Sequence, residues 1–212
     1  MSEIKIGVMG IGSCSIEIPG KRLLVDAYNE YVCMKDLNEK DILLFTHADG
    51  DHFTADALKP YYRNNVVIGS PSVIMRLLES GFSKEHLICA YPAEHNKAAI
   101  IDLEEVHIKA FNTPHFLKWH TDHISFLLQI LDKKIFITGD SYLVDDLKDH
   151  FTQVDLLIYN LIHEEVVKDR MDKKTGTLHH LAELAGIQYR YQPCKILCNH
   201  LMGCSWQSMV RL

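Results

Sequence analysis

Short apolar runs alternate with polar turns along the whole chain. Residues 3–9, 13–18 and 21–27 (EIKIGVM, SCSIEI and KRLLVDA) are apolar-rich and of strand length, and Gly or Pro19-Gly20 signals separate them. Each predicts a β-strand. DILLF, at 41–45, is a further apolar run, and it ends directly in the polar stretch THADGDHF. TADALKPYY (54–62) has the pattern of a short helix, and VVIG (66–69) that of a strand. SPSVIMRLLESG (70–81) predicts a helix capped by Ser70 or Ser72 and stopped by Gly81, and HLICA (86–90) a strand. The second half repeats the mixture. Residues 98–103, 105–112, 124–131, 134–140 and 154–160 predict strands, 141–151 and 177–189 predict helices, and CKILCNH (194–200) predicts a final strand. No linker or low-complexity segment interrupts them. Strands with interspersed helices, given twice, predict two mixed sheets packed together with helices outside, in one domain spanning 1–212.

Composition adds limits rather than a function. The 212 residues are 47% apolar and 24% charged, ordinary values for a globular core. The net charge of −6 disfavours nucleic acid and anionic membranes as partners, because phosphate binding needs a basic surface. No window approaches the roughly 18 apolar residues of a membrane span. The start MSEIKIGVMG lacks a basic segment followed by a long apolar run, which predicts a cytoplasmic location. The six cysteines form no CxxC pair and mostly sit beside apolar residues, as expected of reduced, buried thiols. A small molecule is the expected partner, and nothing excludes a homo-oligomer.

Where the thirteen histidines fall matters more than their number. DILLF runs into His47, Asp49, Asp51 and His52, FNTP into His115, KIFITG into Asp140 and KILCN into His200. Strand ends deliver side chains from a rigid scaffold into a shared cleft. Imidazoles with carboxylates suit zinc, manganese or iron rather than a thiolate site. HxDxDH packs four such groups just after an apolar strand, which is costly unless they are solvated or bind an ion. The bland alternative for 47–52 is a polar turn around Asp49-Gly50. His115 competes with His120 and His123 in NTPHFLKWHTDH, and the latter two read better as supporting or surface groups. Asn160 and His163 follow the next strand, where a substrate-contacting or proton-donating His163 competes with a surface one. At most one of His179 and His180 reaches a site, and His86, His95, His107 and His150 read as surface. Gly10 and Gly12 form a GxG without the third glycine of a nucleotide loop. HEEVV at 163–167 fails the HExxH zinc pattern, and no GxSxG occurs.

THADGDHF resembles the THxHxDH signature of the metallo-β-lactamase superfamily. Asp26 in LLVDAY resembles its early Asp, His115 its third-motif His, Asp140 in FITGDS its bridging Asp, and His200 in LCNHL its last His. The opening, GIGSCSIEIPGKRLLVDAY, is similar to that of cytosolic hydrolases related to ascorbate-6-phosphate lactonase. The resemblance implies an α/β fold, the four-layer αββα sandwich. It also implies two divalent ions, zinc first, with manganese or iron as alternatives. His47, Asp49 and His115 would hold one ion and Asp51, His52 and His200 the other, with Asp140 bridging and Asp26 supporting the loop. A hydroxide between the ions would attack a small ester, lactone or phosphoester. Asp51 and Asp140 would act in catalysis with the ions, and His163 or a water would protonate the leaving group. Asp49 departs from the family, which has His there. A carboxylate shifts preference towards manganese or iron, or weakens the first site. Flavodiiron proteins carry an acid at this position, so a di-iron oxidoreductase is the rival reading. Against it, no appended flavin domain is expected, and GIGSCS makes a poor phosphate loop. A degenerate metal-binding scaffold is the third reading.

Overall fold

The computed structural model describes residues 3–10, 12–28, 34–92, 94, 97–115, 122–141, 153–160, 195–199 and 209–211. The chain divides into two compact units, Met1–Ala90 with Gly203–Leu212, and Tyr91–Met202.

The first unit is built on a seven-stranded sheet. Its strands are β1 (Lys5–Val8), β2 (Cys14–Ile18), β3 (Lys21–Val25), β4 (Ile42–Phe45), β5 (Val66–Gly69), β6 (Leu87–Cys89) and β13 (Met209–Arg211), in the order β13-β1-β2-β3-β4-β5-β6. The run β13-β1-β2-β3 is antiparallel and β3-β4-β5-β6 is parallel. Parallel strands are covered on both faces and read as continuous apolar runs, which is why Ile42–Phe45 is buried throughout. Phe45 meets Phe53 edge-on at 5.0 Å, within a core that includes Leu24, Leu58, Val67 and Leu77. Tyr61 and Tyr62 pack against that core. Helix α1 (Ala55–Leu58) connects β4 to β5, and α2 (Pro71–Glu79) connects β5 to β6. Ser70 takes the N-cap position of α2. The helix expected over 54–62 is cut to one turn, because Pro60 has no N–H to donate and its ring opposes a continued helix. Strand 194–200 is not the last. Met209–Arg211 follows it and pairs with Lys5–Gly7.

The second unit has a six-stranded sheet made of β7 (Ala98–Leu103), β8 (Val106–Asn112), β9 (Ile124–Ile130), β10 (Lys133–Ile137), β11 (Leu156–Asn160) and β12 (Lys195–Asn199). Its order is β12-β11-β10-β9-β8-β7. β7 to β10 form an antiparallel meander, and β10-β11-β12 are parallel. The β9–β10 turn starts one residue earlier than expected, because Leu131 takes a left-handed φ of 56° and leaves the ladder. Both sheets therefore mix antiparallel and parallel pairs, as the order of elements predicts. Apart from Ser141, the helices expected over 141–151 and 177–189 lie outside the described residues. Among those described, no helix is long and apolar enough to cross a membrane.

Of the two cysteines whose side chains are described, Cys14, on β2, is fully buried and Cys89, at the end of β6, is exposed. Burial, and then the charge of Asp26, push the Cys14 thiol up, which removes the reactive thiolate at neutral pH. Maleimide applied to the folded chain should modify Cys89 and spare Cys14. Peptide mass mapping reads this out, and equal labelling of the two would contradict the burial.

Candidate metal centre

The first donor set grows out of the parallel strand β4. Register places Val25 beside Leu44, so Asp26 emerges next to the start of the Thr46–Phe53 loop. Asp26 is fully buried with a left-handed φ of 48°, and its N–H donates to Leu44 O at 2.8 Å. Its carboxylate accepts three hydrogen bonds. Thr46 N–H donates to Oδ1 at 2.8 Å, and Thr46 Oγ1 at 2.8 Å and His52 Nδ1 at 2.9 Å both donate to Oδ2. A carboxylate only accepts, so His52 carries its proton on Nδ1 and its lone pair on Nε2.

The same logic extends one residue further. The single Thr46 hydroxyl proton goes to Asp26, so Oγ1 accepts from His47 Nδ1, 2.9 Å away. His47 is therefore also an Nδ1–H tautomer with Nε2 carrying the lone pair. One buried carboxylate thus sets two buried imidazoles, His52 directly and His47 through Thr46. The two rings lie 4.2 Å apart between centroids. Turn bonds from His52 N–H and Phe53 N–H to Asp49 O shape the loop, and Arg76 of α2 donates to Ala48 O at 2.6 Å. Asp49 Oδ2 stands 3.7 Å from His47 Nε2 and its side chain is a quarter exposed. Asp51 is half-buried in the same turn. Gly12 lies directly under His52. A Cβ there would fall 2.4 Å from His52 Cε1. The second glycine of the GxG thus serves to seat an imidazole.

The second donor set stands at the ends of β8 and β10. His115 forms an antiparallel bridge with Ser141 and brings Nε2 to 3.7 Å from Asp140 Oδ2, both residues being buried. Asn160, at the end of β11, donates Nδ2–H to Asp140 Oδ1 at 3.0 Å. His123 is not a donor of this kind. Asp140 N–H donates to its Nε2 at 2.9 Å, so Nδ1 carries the proton and donates to Thr113 Oγ1 at 2.9 Å. Ser125 Oγ donates to Thr138 O at 2.7 Å, which leaves the Thr113 hydroxyl to donate to Ser125 at 2.8 Å. Both nitrogens of His123 are committed, and between His115 and His123 the structure leaves His115 as the ligand candidate. His120, His163, His179, His180 and His200 lie outside the described residues.

In each unit one imidazole Nε2 and one carboxylate oxygen stand 3.7 Å apart. That is too long for a hydrogen bond. It is near the roughly 3–4 Å between two ligands that each sit about 2.0–2.1 Å from one ion. Tautomers fixed on Nδ1, lone pairs on Nε2 and flanking carboxylates are the donor chemistry of a divalent-metal site.

The profile of the β-lactamase superfamily domain matches residues 21–185, more than three quarters of the chain. The chain belongs to the β-lactamase superfamily. A superfamily relative from Flavobacterium johnsoniae, described as a UPF0173 metal-dependent hydrolase, is 26% identical over 153 residues, 68% of this chain. The match spans 65% of that relative, slightly under two thirds of its length. A candidate metal-dependent hydrolase of Parabacteroides distasonis has a TM-score of 0.71 at 17% identity, over 96% of this chain and 84% of its own. CmlA of Streptomyces venezuelae, described as a diiron β-hydroxylase, has a TM-score of 0.69 at 13% identity, over 97% of this chain and 46% of its own. With these neighbours the expected metallo-β-lactamase fold stands. Within this superfamily member, reading the sequence for ligands overlooks Thr46, Thr113 and Ser125. Thr46 and Thr113 each follow a strand end and Ser125 lies within β9, and only their pairing gives them a role.

Proposed function

We propose that this chain is a metal-dependent hydrolase. His47, Asp49 and His115 would be ligands of one divalent ion, and Asp51, His52 and His200 of a second, with Asp140 shared. The observation that carries this reading is the fixed tautomer of His47 and His52, which turns an Nε2 lone pair outward from each ring at the cost of a buried carboxylate. Such ions supply an activated water and polarise the bond under attack. Asp26 orients the two imidazoles, the His123 chain holds the Asp140 backbone, and His163 gives a proton to the leaving group. The opening over 10–28, similar to that of hydrolases related to ascorbate-6-phosphate lactonase, supports a small lactone, ester or phosphoester as substrate.

Elemental analysis of the chain purified without chelators tests this, for the wild type and Asp49→His. About two equivalents of zinc or manganese are expected. Less than about half an equivalent of any metal after reloading sinks the proposal. A second reading rests on Asp49 itself. Its carboxylate favours harder metals than a second imidazole would, and CmlA shares the fold. About two equivalents of iron, with visible absorption and a need for an electron donor, would put a di-iron oxidoreductase in first place.

A further inference from the structure

β11 lies between β10 and β12 and runs parallel to both. Its last residue, Asn160, pairs with Asn199, the residue before His200, and stands beside the strand that leads into Asp140. All five residues of β11 (LLIYN) are buried, and Asn160 is 2% exposed. An amide at such a position needs partners on both of its ends. Among the described residues, only one end has one. Because the Asp140 carboxylate cannot donate, the 3.0 Å contact to Oδ1 is made by Nδ2, and this settles which way the amide points. The carbonyl Oδ1 then faces away from Asp140 and accepts no hydrogen bond from them. The one bond this amide makes therefore goes to the buried Asp140 carboxylate, and its other end serves nothing among the described residues.

We infer that Asn160 is a positioning residue whose task is to hold Asp140 for a metal ion. By donating to Oδ1, the amide fixes the plane of the carboxyl group, with Oδ2 on the side of His115 Nε2. The His123 nitrogen holds the Asp140 backbone, and the Asn160 amide holds the carboxyl head. Asp140 is thereby fixed at both ends before any ion arrives. This inference rests on the metal-centre reading above.

The test measures Mn²⁺ and Zn²⁺ affinity by chelator competition on the full 212-residue chain. The proteins are the wild type, Asn160→Leu and Asn160→Ser, each also taken through a metal-free thermal melt. The expected result for Asn160→Leu is an affinity about 10–100-fold weaker, as for other groups that orient a ligand. Its metal-free melting temperature should fall only modestly, because the Asp140 carboxylate loses one donor. A purely structural amide would lower the melt and leave affinity alone. Affinity within about twofold of wild type in a folded variant overturns the inference and leaves the metal centre standing. If neither variant folds, Asn160 is a structural residue and the inference is wrong. A wild type that binds neither metal removes the metal-centre reading itself.

Discussion

Asp26→Ala is expected to lower the unfolding free energy by about 3–5 kcal/mol and to abolish metal retention. The substitution leaves three buried donors, Thr46 N–H, the Thr46 hydroxyl and His52 Nδ1–H, without their acceptor. Each orphaned donor costs roughly 1–3 kcal/mol, and local relaxation recovers part of the sum. The loss is more than energetic. Without Asp26, His52 is free to move its proton to Nε2, and Thr46 is free to turn its hydroxyl towards His47. Asp26→Asn separates the two effects. An amide in that place keeps the volume and one acceptor, so stability should fall by only about 1–2 kcal/mol. Where its NH₂ meets His52 Nδ1, the ring must accept there and carry its proton on Nε2, the nitrogen proposed above as a metal ligand. Urea denaturation and metal analysis of both variants read this out. Full metal content in Asp26→Asn would show that the carboxylate does not set the tautomers.

Gly12→Ala is expected to cost roughly 2–4 kcal/mol, in part from a left-handed φ of 66° and in part from its collision with His52. The new methyl would sit 2.4 Å from Cε1 and 2.9 Å from Nδ1, inside the ring's own contact shell. His52 must then swing away, which lengthens its bond to Asp26. Gly20→Ala is the matched control. That glycine has φ 83° and nothing within 4 Å of the place a methyl would take, so it carries the backbone strain alone, about 1–2 kcal/mol. Metal content should fall in Gly12→Ala and hold in Gly20→Ala. Equal stability and equal metal content in the two variants would remove His52 from the explanation.

What could be read from the sequence follows the range of each signal. Ile42–Phe45 and Leu156–Asn160 announce themselves because a parallel strand buried on both faces is a continuous apolar run. His47, Asp49, Asp51 and His52 stand out because four polar groups after such a run need a reason. Met209–Arg211 does not, since three residues carry no period. The sequence favours His115 over His123 as the ligand, but not for the physical reason the structure gives. Both are buried, and only the Asp140 N–H, 17 residues beyond His123, decides which ring has spent both nitrogens. Gly12 looks like half of a nucleotide loop until its distance to His52, forty residues on, is known. The expected ligand His200 and proton donor His163 lie outside the described residues, and their roles rest on the sequence alone.

The hydrogen bonds around His123 form a loop with a direction. It leaves the backbone at Asp140 N–H, passes through His123, Thr113 and Ser125, and re-enters the backbone at Thr138 O, two residues before it began. Every proton in it points the same way, so no member can reverse its role without all of them reversing, and the two backbone ends do not permit that. The three side chains consequently work as a unit. Once any one is replaced by a group that cannot both give and take a proton, the other two lose their purpose. Substitutions among them should accordingly be tolerated in company and punished alone.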